Sequence, residues 1–205
     1  MLSQLSRVEV AERMMADEFF KYAPEEQKAE LIDGVMIVSP PPLDVHERIN
    51  LFLLRLLGEF VEIFDSGEVR GSRTAVRLDD LYVVEPDILF VARERTHIID
   101  ERGVFGAPDL IVEILSASTA QYDRGNKFHA YDRAGVRELW LIDPYGPVGT
   151  EFFQRQGEHL TPVMPGEDGW LPSTALPGFR LNVNWLWPRE KFIPIRQALQ
   201  AMGVE

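Results

Sequence analysis

The sequence predicts an α/β fold, a mixed sheet flanked by helices, with an N-terminal helix and hairpin in front and a C-terminal β-rich extension behind. Three observations carry this reading. Val83 to Val91 and Leu110 to Leu115 are runs of strand length with apolar residues on both sides of Asp87 and Glu113, and they read as strands covered on both faces. A helical pattern stopping at Gly135 joins the second run to Val136–Ile142, and a strand, helix and strand of this length imply parallel pairing. Short alternating runs, separated by glycine turns, fill the last quarter of the chain.

Taken in order, Val8 to Tyr22 carries Val10, Met14, Met15, Phe19 and Phe20 at helical spacing and must end before Pro24. Glu30 to Val38 reads as a hairpin turning at Asp33-Gly34. After the prolines, Asp44 is expected to cap a helix, with Glu47 in capping-box position, that runs to about Phe64 and buries Ile49, Leu53, Leu56, Leu57 and Phe60. His46 in its first turn reads as a hydrogen-bonded histidine tying hairpin to helix rather than as a metal ligand.

Glu68 to Leu78 is expected as one strand, Asp79-Asp80 as the turn into the Asp87 strand, and Arg93 to Phe105 as a charged connection, a short helix or a loop. Beyond Asp143-Pro144, Glu151–Gln156 and His159–Val163 form a hairpin around Gly157, with a turn at Gly166–Gly169. Phe179 to Trp187 alternates, and Glu190 to Met202 suggests a closing helix interrupted near Pro194. Trp185 and Trp187 suit either the core or a partner-facing edge.

Composition sets limits on function. A chain of 205 residues, 45% hydrophobic and 26% charged, suits one compact domain, expected over 1–205 with its core at about 28–145. No apolar run approaches membrane-spanning length and no basic-then-apolar leader opens the chain, so the expected address is cytoplasmic with no membrane contact. Cysteine is absent, which removes thiolate metal sites and disulfides. With 33 acidic and 21 basic residues, a net charge of −12 disfavours indiscriminate coating of nucleic acid. Arg70, Arg73 and Arg77, with Arg124 near Lys127, form either a local basic groove or a solvated face.

The chemistry gathers around the two strand-borne acids. A buried carboxylate without a partner costs several kcal/mol, so it pairs, neutralises or binds a cation. Neighbouring strands lie roughly 4.8 Å apart, so two such groups can share one ion, and magnesium needs only one or two protein carboxylates. Asp123, Lys127 and Tyr131 recur every four residues on one helical face, from which Lys127 could reach the strand ends.

These residues carry a resemblance. The set Ala29-Glu30-Leu31-Ile32-Asp33-Gly34, the Ser39-Pro40-Pro41-Pro42 run leading to His46, Pro86-Asp87, Ala107 to Ser116 around Glu113, Asp123 with Lys127 and Tyr131, and Gly135 to Pro144 resembles the PD-(D/E)XK nucleases, and within them the restriction-endonuclease family Uma2. The similarity runs from about Met14 to Trp187. It implies a restriction-endonuclease-like α/β fold and a nuclease using Mg²⁺ or Mn²⁺ on DNA, with Asp87 and Glu113 on the metal and Glu30 completing or positioning its shell. The superfamily's lysine stands two residues after the glutamate, where this chain has Leu115, so the resemblance implies that Lys127 takes its place from the helix. Glu30 could equally order its hairpin, and Lys127 could simply pair with Asp123. Asp109, at the mouth of its strand, reads as a strand-start residue. Tyr131, Gln121, Ser116, Arg73 and His46 are the expected substrate contacts, and a homodimer would set two sites on two strands. The other reading is a catalytically silent scaffold that binds nucleic acid or a protein. A third has Glu113 and Lys127 as an internal pair, in which case Lys127→Met would cost much stability.

Overall fold

The computed structural model describes residues 13–24, 26–117 and 119–204. Helix α1, Ala16–Tyr22, starts later than its periodicity predicts, since Met15 is an extended N-cap and Met14 lies outside the helix, and it ends at Ala23 before the proline as expected. Residues 8–12 of the expected helix lie outside the described residues. Strands β1, Ala29–Ile32, and β2, Val35–Val38, form the expected hairpin, and Asp33 and Gly34 both take the positive φ that a tight two-residue turn requires.

Helix α2, Asp44–Phe64, buries the anticipated stripe of Ile49, Leu53, Leu56, Leu57 and Phe60. Its cap differs from the expectation. Leu43 is the N-cap and Asp44 the first helical residue, while the Glu47 carboxylate turns to His46 Nδ1, 3.1 Å away, instead of back to the helix amides.

Two expected strands prove to be broken. Glu68–Leu78 becomes β3, Gly67–Gly71, and β4, Val76–Arg77, with Arg73 at φ 75° between them. Val83–Val91 becomes β5, Val83–Val84, and β6, Ile88–Ala92. Pro86 lacks the N–H a continuous ladder needs, so the chain leaves one sheet at Glu85 and enters the other at Ile88. Asp87 is therefore a junction residue, not a mid-strand one.

The charged connection forms a 3₁₀ turn, Arg93–Ile98, and a small hairpin of β7, Ile99–Asp100, and β8, Gly103–Phe105. Next comes β9, Leu110–Ile114. The following helix, α3, begins at Ala120–Tyr122, widens into a π-helical turn over Asp123–Lys127 and continues as Phe128–Ala134, stopping at Gly135 in the left-handed conformation. Strand β10, Glu138–Ile142, then runs parallel to β9, as the strand–helix–strand spacing predicts. The hairpin of β11, Glu151–Gln156, and β12, His159–Val163, has its expected bounds. A ribbon of β13, Trp170–Pro172, and β14, Arg180–Asn182, follows, with helix α4, Ile195–Met202, at the end.

The main sheet has the order β12-β11-β10-β9-β6-β3, and the second β2-β1-β5-β4-β8-β7. The main sheet is covered on both faces. Ile88, Phe90, Leu110, Val112 and Ile114 pack toward α2 and the C-terminal extension, while Leu89, Val91, Ile111 and Leu115 pack toward α3 and the second sheet. Trp185 and Trp187 lie against the first of these cores, and Trp187 Nε1 donates to the Asp143 carbonyl, so these indoles are packing elements rather than a free edge. Among the described residues no helix is long and apolar enough to cross a membrane.

Candidate active site

The two sheets meet at Glu85-Pro86-Asp87, and the candidate site forms at that seam. In the antiparallel β6–β9 pair Ile88 faces Val112, so one step further brings Asp87 level with Glu113. Odd-numbered side chains of β9 point toward α3, which puts Glu113 on that face with Ile111 and Leu115. Glu30 comes from β1 in the second sheet, and its Oε1 accepts a 2.9 Å hydrogen bond from the Glu85 amide, locking the seam.

Lys127 rises into this gap from α3. Its Nζ lies 2.6 Å from Glu113 Oε1, 3.0 Å from Glu30 Oε1 and 3.0 Å from Asp123 Oδ1. All four side chains are buried, and Tyr131, one turn on, donates a 2.5 Å hydrogen bond to the same Glu113 oxygen. The widened turn ends at Lys127, a kind of helix distortion that clusters at functional sites. Leu115, where the superfamily keeps its lysine, packs in the apolar core.

A second cationic group serves Asp87. Lys28 Nζ stands 3.1 Å from Oδ1, His46 Nε2 stands 3.1 Å from Oδ2, and the Ile114 amide donates to Oδ2 at 2.8 Å. Burial alone would raise the Asp87 pKa, but Lys28, His46 and the Ile114 amide together hold it well below the usual carboxylate range. Burial opposes the charge on Lys127 too, yet Asp123, Glu113 and Glu30 lift its pKa well above that of a free lysine.

Two residues of this constellation were not singled out from sequence, Lys28 and Glu85. Lys28 stands two positions before Glu30, on the same side of the strand's extension, a period-two signal that could have found it. Glu85 follows two apolar residues and directly precedes Pro86-Asp87, so the burial argument that selected Asp87 applied to it equally. It is 8% exposed, and Oε2 has no hydrogen-bond donor among the described residues, although Arg73 Nε comes within 3.5 Å. Burial pushes its pKa up to about 7. Burial also pushes Glu113 up to about 8, with Asp123 adding to the effect and Lys127 opposing it.

The other expected contacts scatter. Ser116 bonds within its own loop to Thr119, and Gln121 is exposed on α3. Of the anticipated basic cluster, Arg70 pairs with Glu68, Arg77 with Asp17 and Asp80, and Arg124 with Glu151, so these arginines are largely engaged within the chain. Asp109 is fully buried, accepting from the Ala92 amide at 2.8 Å and pairing with Arg95 and Arg137, which is the strand-start role expected of it.

Would this donor set suit a divalent cation? The seam holds five buried carboxylates, Glu30, Glu85, Asp87, Glu113 and Asp123, against the ammonium groups of Lys28 and Lys127. Carboxylates outnumber ammonium groups, two buried carboxylate oxygens, Glu85 Oε2 and Asp123 Oδ1, have no hydrogen-bond donor among the described residues, and two carboxyl pKa values are driven upward. The ligands on offer are oxygens, which suits magnesium or manganese. No group of three or more His, Asp or Glu side chains among the described residues forms a ready cage, so the fit is to an ion that takes one or two carboxylates and keeps its waters.

Comparison with known proteins agrees with this architecture. The Uma2 family model, described as "Putative restriction endonuclease", matches residues 16–184. An uncharacterized protein of Synechocystis sp. is 29% identical over 147 residues, covering 67% of this chain and 80% of its own length. The crystal structure of "a putative nuclease belonging to DUF820" from Anabaena variabilis superposes with a TM-score of 0.70 at 23% identity, covering 85% of this chain and 97% of that one, a likeness of fold.

Proposed function

The chain belongs to the Uma2 family of restriction-endonuclease-like proteins, and on that footing we propose that it is a metal-dependent endonuclease that hydrolyses phosphodiester bonds in DNA. The observation that carries the reading is the meeting of Asp87, Glu113 and Lys127 at the seam, with Lys127 Nζ 2.6 Å from Glu113. In this reading Asp87 and Glu113 hold Mg²⁺ or Mn²⁺, with Glu85 and Glu30 supplying or orienting its remaining shell. The bound ion supplies Lewis acidity and lowers the pKa of water.

The protein's own groups do the rest. Lys127 is held as an ammonium by its three carboxylates, so it acts as a fixed positive charge beside the scissile phosphate and stabilises the charge that builds on its oxygens. Tyr131 fixes the Glu113 carboxylate through its hydroxyl. His46 and Lys28 fix Asp87 from its two sides, so the carboxylates are aimed before any substrate arrives. The reading takes 1–205 as one catalytic domain, working in the cytoplasm and paired as a homodimer to cut two strands.

The test is nicking and linearisation of supercoiled plasmid in Mg²⁺ or Mn²⁺ by wild type, Asp87→Ala, Glu113→Gln and Lys127→Met, purified identically, with an RNA substrate run in parallel. Metal-dependent cutting that drops by about 10²-fold or more in each variant is the expected result. Cutting that persists in the variants would come from a contaminant and would remove the assignment. Cleavage confined to RNA would keep the site and change the substrate.

A further inference from the structure

Away from the seam, α2 turns a second face outward along a groove of about 960 Å³ shared with the C-terminal segment from Phe192 to Leu199. Its walls are apolar and charged: Leu51 and Ile63 are exposed, Phe52 and Phe192 stack with ring centroids 4.8 Å apart, and the Arg48 guanidinium lies 5.7 Å from the Phe192 ring. The charges on this face are not in ion pairs among the described residues. Arginines elsewhere mostly pair with acids, for example Arg124 with Glu151 and Arg133 with Asp79. No ion pair among the described residues engages Arg48 or Arg55, nor Glu59 or Glu62 one and two turns further on.

Gly58 sits among these residues in mid-helix. Glycine weakens a helix interior relative to alanine. Its own fold gives no reason for it, because a Cβ there would meet nothing within 4 Å and its φ is not one that favours glycine. A position that needs no Cβ although nothing within the chain excludes one is suited to close approach from outside.

We infer that this face of α2 is the interface with a second copy of the chain, the two α2 helices crossing antiparallel with the twofold axis between Arg55 and Gly58. In that arrangement the Arg48–Arg55 half of each helix lies beside the Glu59–Glu62 half of the other, Arg55 rests over the glycine of the second copy, and Leu51 and Ile63 enter the apolar grooves. An isologous contact of this kind is self-complementary because, around the proposed axis, Arg48 and Arg55 precede Glu59 and Glu62 along the helix. The same charge order argues against nucleic acid here, since Glu59 and Glu62 would face phosphates.

Analytical ultracentrifugation of the full chain at tens of micromolar tests the contact. The expected results are twice the chain's mass for wild type, monomers for the double charge reversals Arg48→Glu/Arg55→Glu and Glu59→Arg/Glu62→Arg, and a heterodimer when those two variants are mixed. Gly58→Leu should also be monomeric, with a thermal midpoint no lower than wild type at a concentration where wild type is dissociated, which separates lost docking from lost folding. A monomeric wild type overturns the inference, as do reversals that stay dimeric or a mixture that stays monomeric. Duplex DNA binding lost with Arg48→Glu/Arg55→Glu in a monomeric protein would give the groove to nucleic acid instead. None of these readouts depends on cleavage.

Discussion

Lys127 and Glu113 lie 2.6 Å apart and both are buried, although one comes from a helix and the other from a strand of the main sheet. The ammonium is also within 3.0 Å of Glu30 and Asp123, so a single side chain compensates three buried acids. Removing it by Lys127→Met should cost about 3–5 kcal/mol of stability, the range for breaking a buried ion pair. Urea unfolding would measure this, and the double variant Lys127→Met/Glu113→Gln should be more stable than the single one. Equal stabilities would mean that the acids are compensated elsewhere. A site role and a structural role for this lysine thus go together, so loss of stability alone does not tell them apart.

Metal should act on the folded protein directly. With Asp87 and Glu113 as its ligands, saturating Mn²⁺ at about 100 times its Kd adds about 2.7 kcal/mol to folding, and a chelator removes it. The expected outcome is a rise in thermal midpoint for wild type and none for Glu113→Gln. Because burial pushes Glu113 up to about 8 and Glu85 up to about 7, both carry protons near neutrality, so binding should also release protons, detectable in weakly buffered solution, and Glu85→Gln should release fewer.

Glu138 is the anchor of the C-terminal extension. It is fully buried in β10, and its Oε2 accepts from Ser173 Oγ at 2.8 Å, the Thr174 amide at 2.8 Å and the Ala175 amide at 3.0 Å, while Oε1 accepts from Trp140 Nε1 at 2.8 Å. An amide in its place can satisfy fewer of these donors. Glu138→Gln should destabilise by about 2–3 kcal/mol, the order of one or two buried donors left unpaired, with the Trp140 fluorescence altered and Mn²⁺ affinity unchanged.

Asp132 provides a pH handle far from the seam. Burial alone would raise its pKa, but the Leu160 amide, His159 and Arg155 lower it in the folded state. A depressed carboxyl stabilises the fold above its unfolded pKa and loses that contribution as pH falls through the folded value. Stability should therefore decline on acidification below about pH 4, the unfolded aspartate value, and decline less in Asp132→Asn. Parallel pH profiles for the two proteins would contradict this.

The elements legible in sequence were those whose signal is local. The β1–β2 hairpin announces its turn through Asp33-Gly34, the α2 stripe repeats at helical period, and β9, α3 and β10 follow from two apolar runs around one helical segment. What escaped depends on partners far along the chain. Val83 to Val91 looks continuous because apolar residues resume after Asp87, and only the existence of two sheets makes Glu85-Pro86-Asp87 a crossing point. The α2 cap misled for a similar reason: Glu47 fits a capping box by spacing, but His46 is drawn inward by Asp87 and Glu47 goes with it. Lys28 and Glu85 were readable only by extending to neighbours the argument already made for Glu30 and Asp87.

The order of charges along the chain has a consequence for synthesis. Glu30 and Glu113 both leave the ribosome ahead of Lys127, so the nascent sheets carry these two acids before the cation that pairs with them has been made. Until α3 docks, closing the seam would bury Glu30 and Glu113 without their lysine, whereas Asp87 already has Lys28 and His46 beside it. The helix that brings Lys127 and Tyr131 is therefore the element that completes the constellation, after both acid-bearing strands have been made.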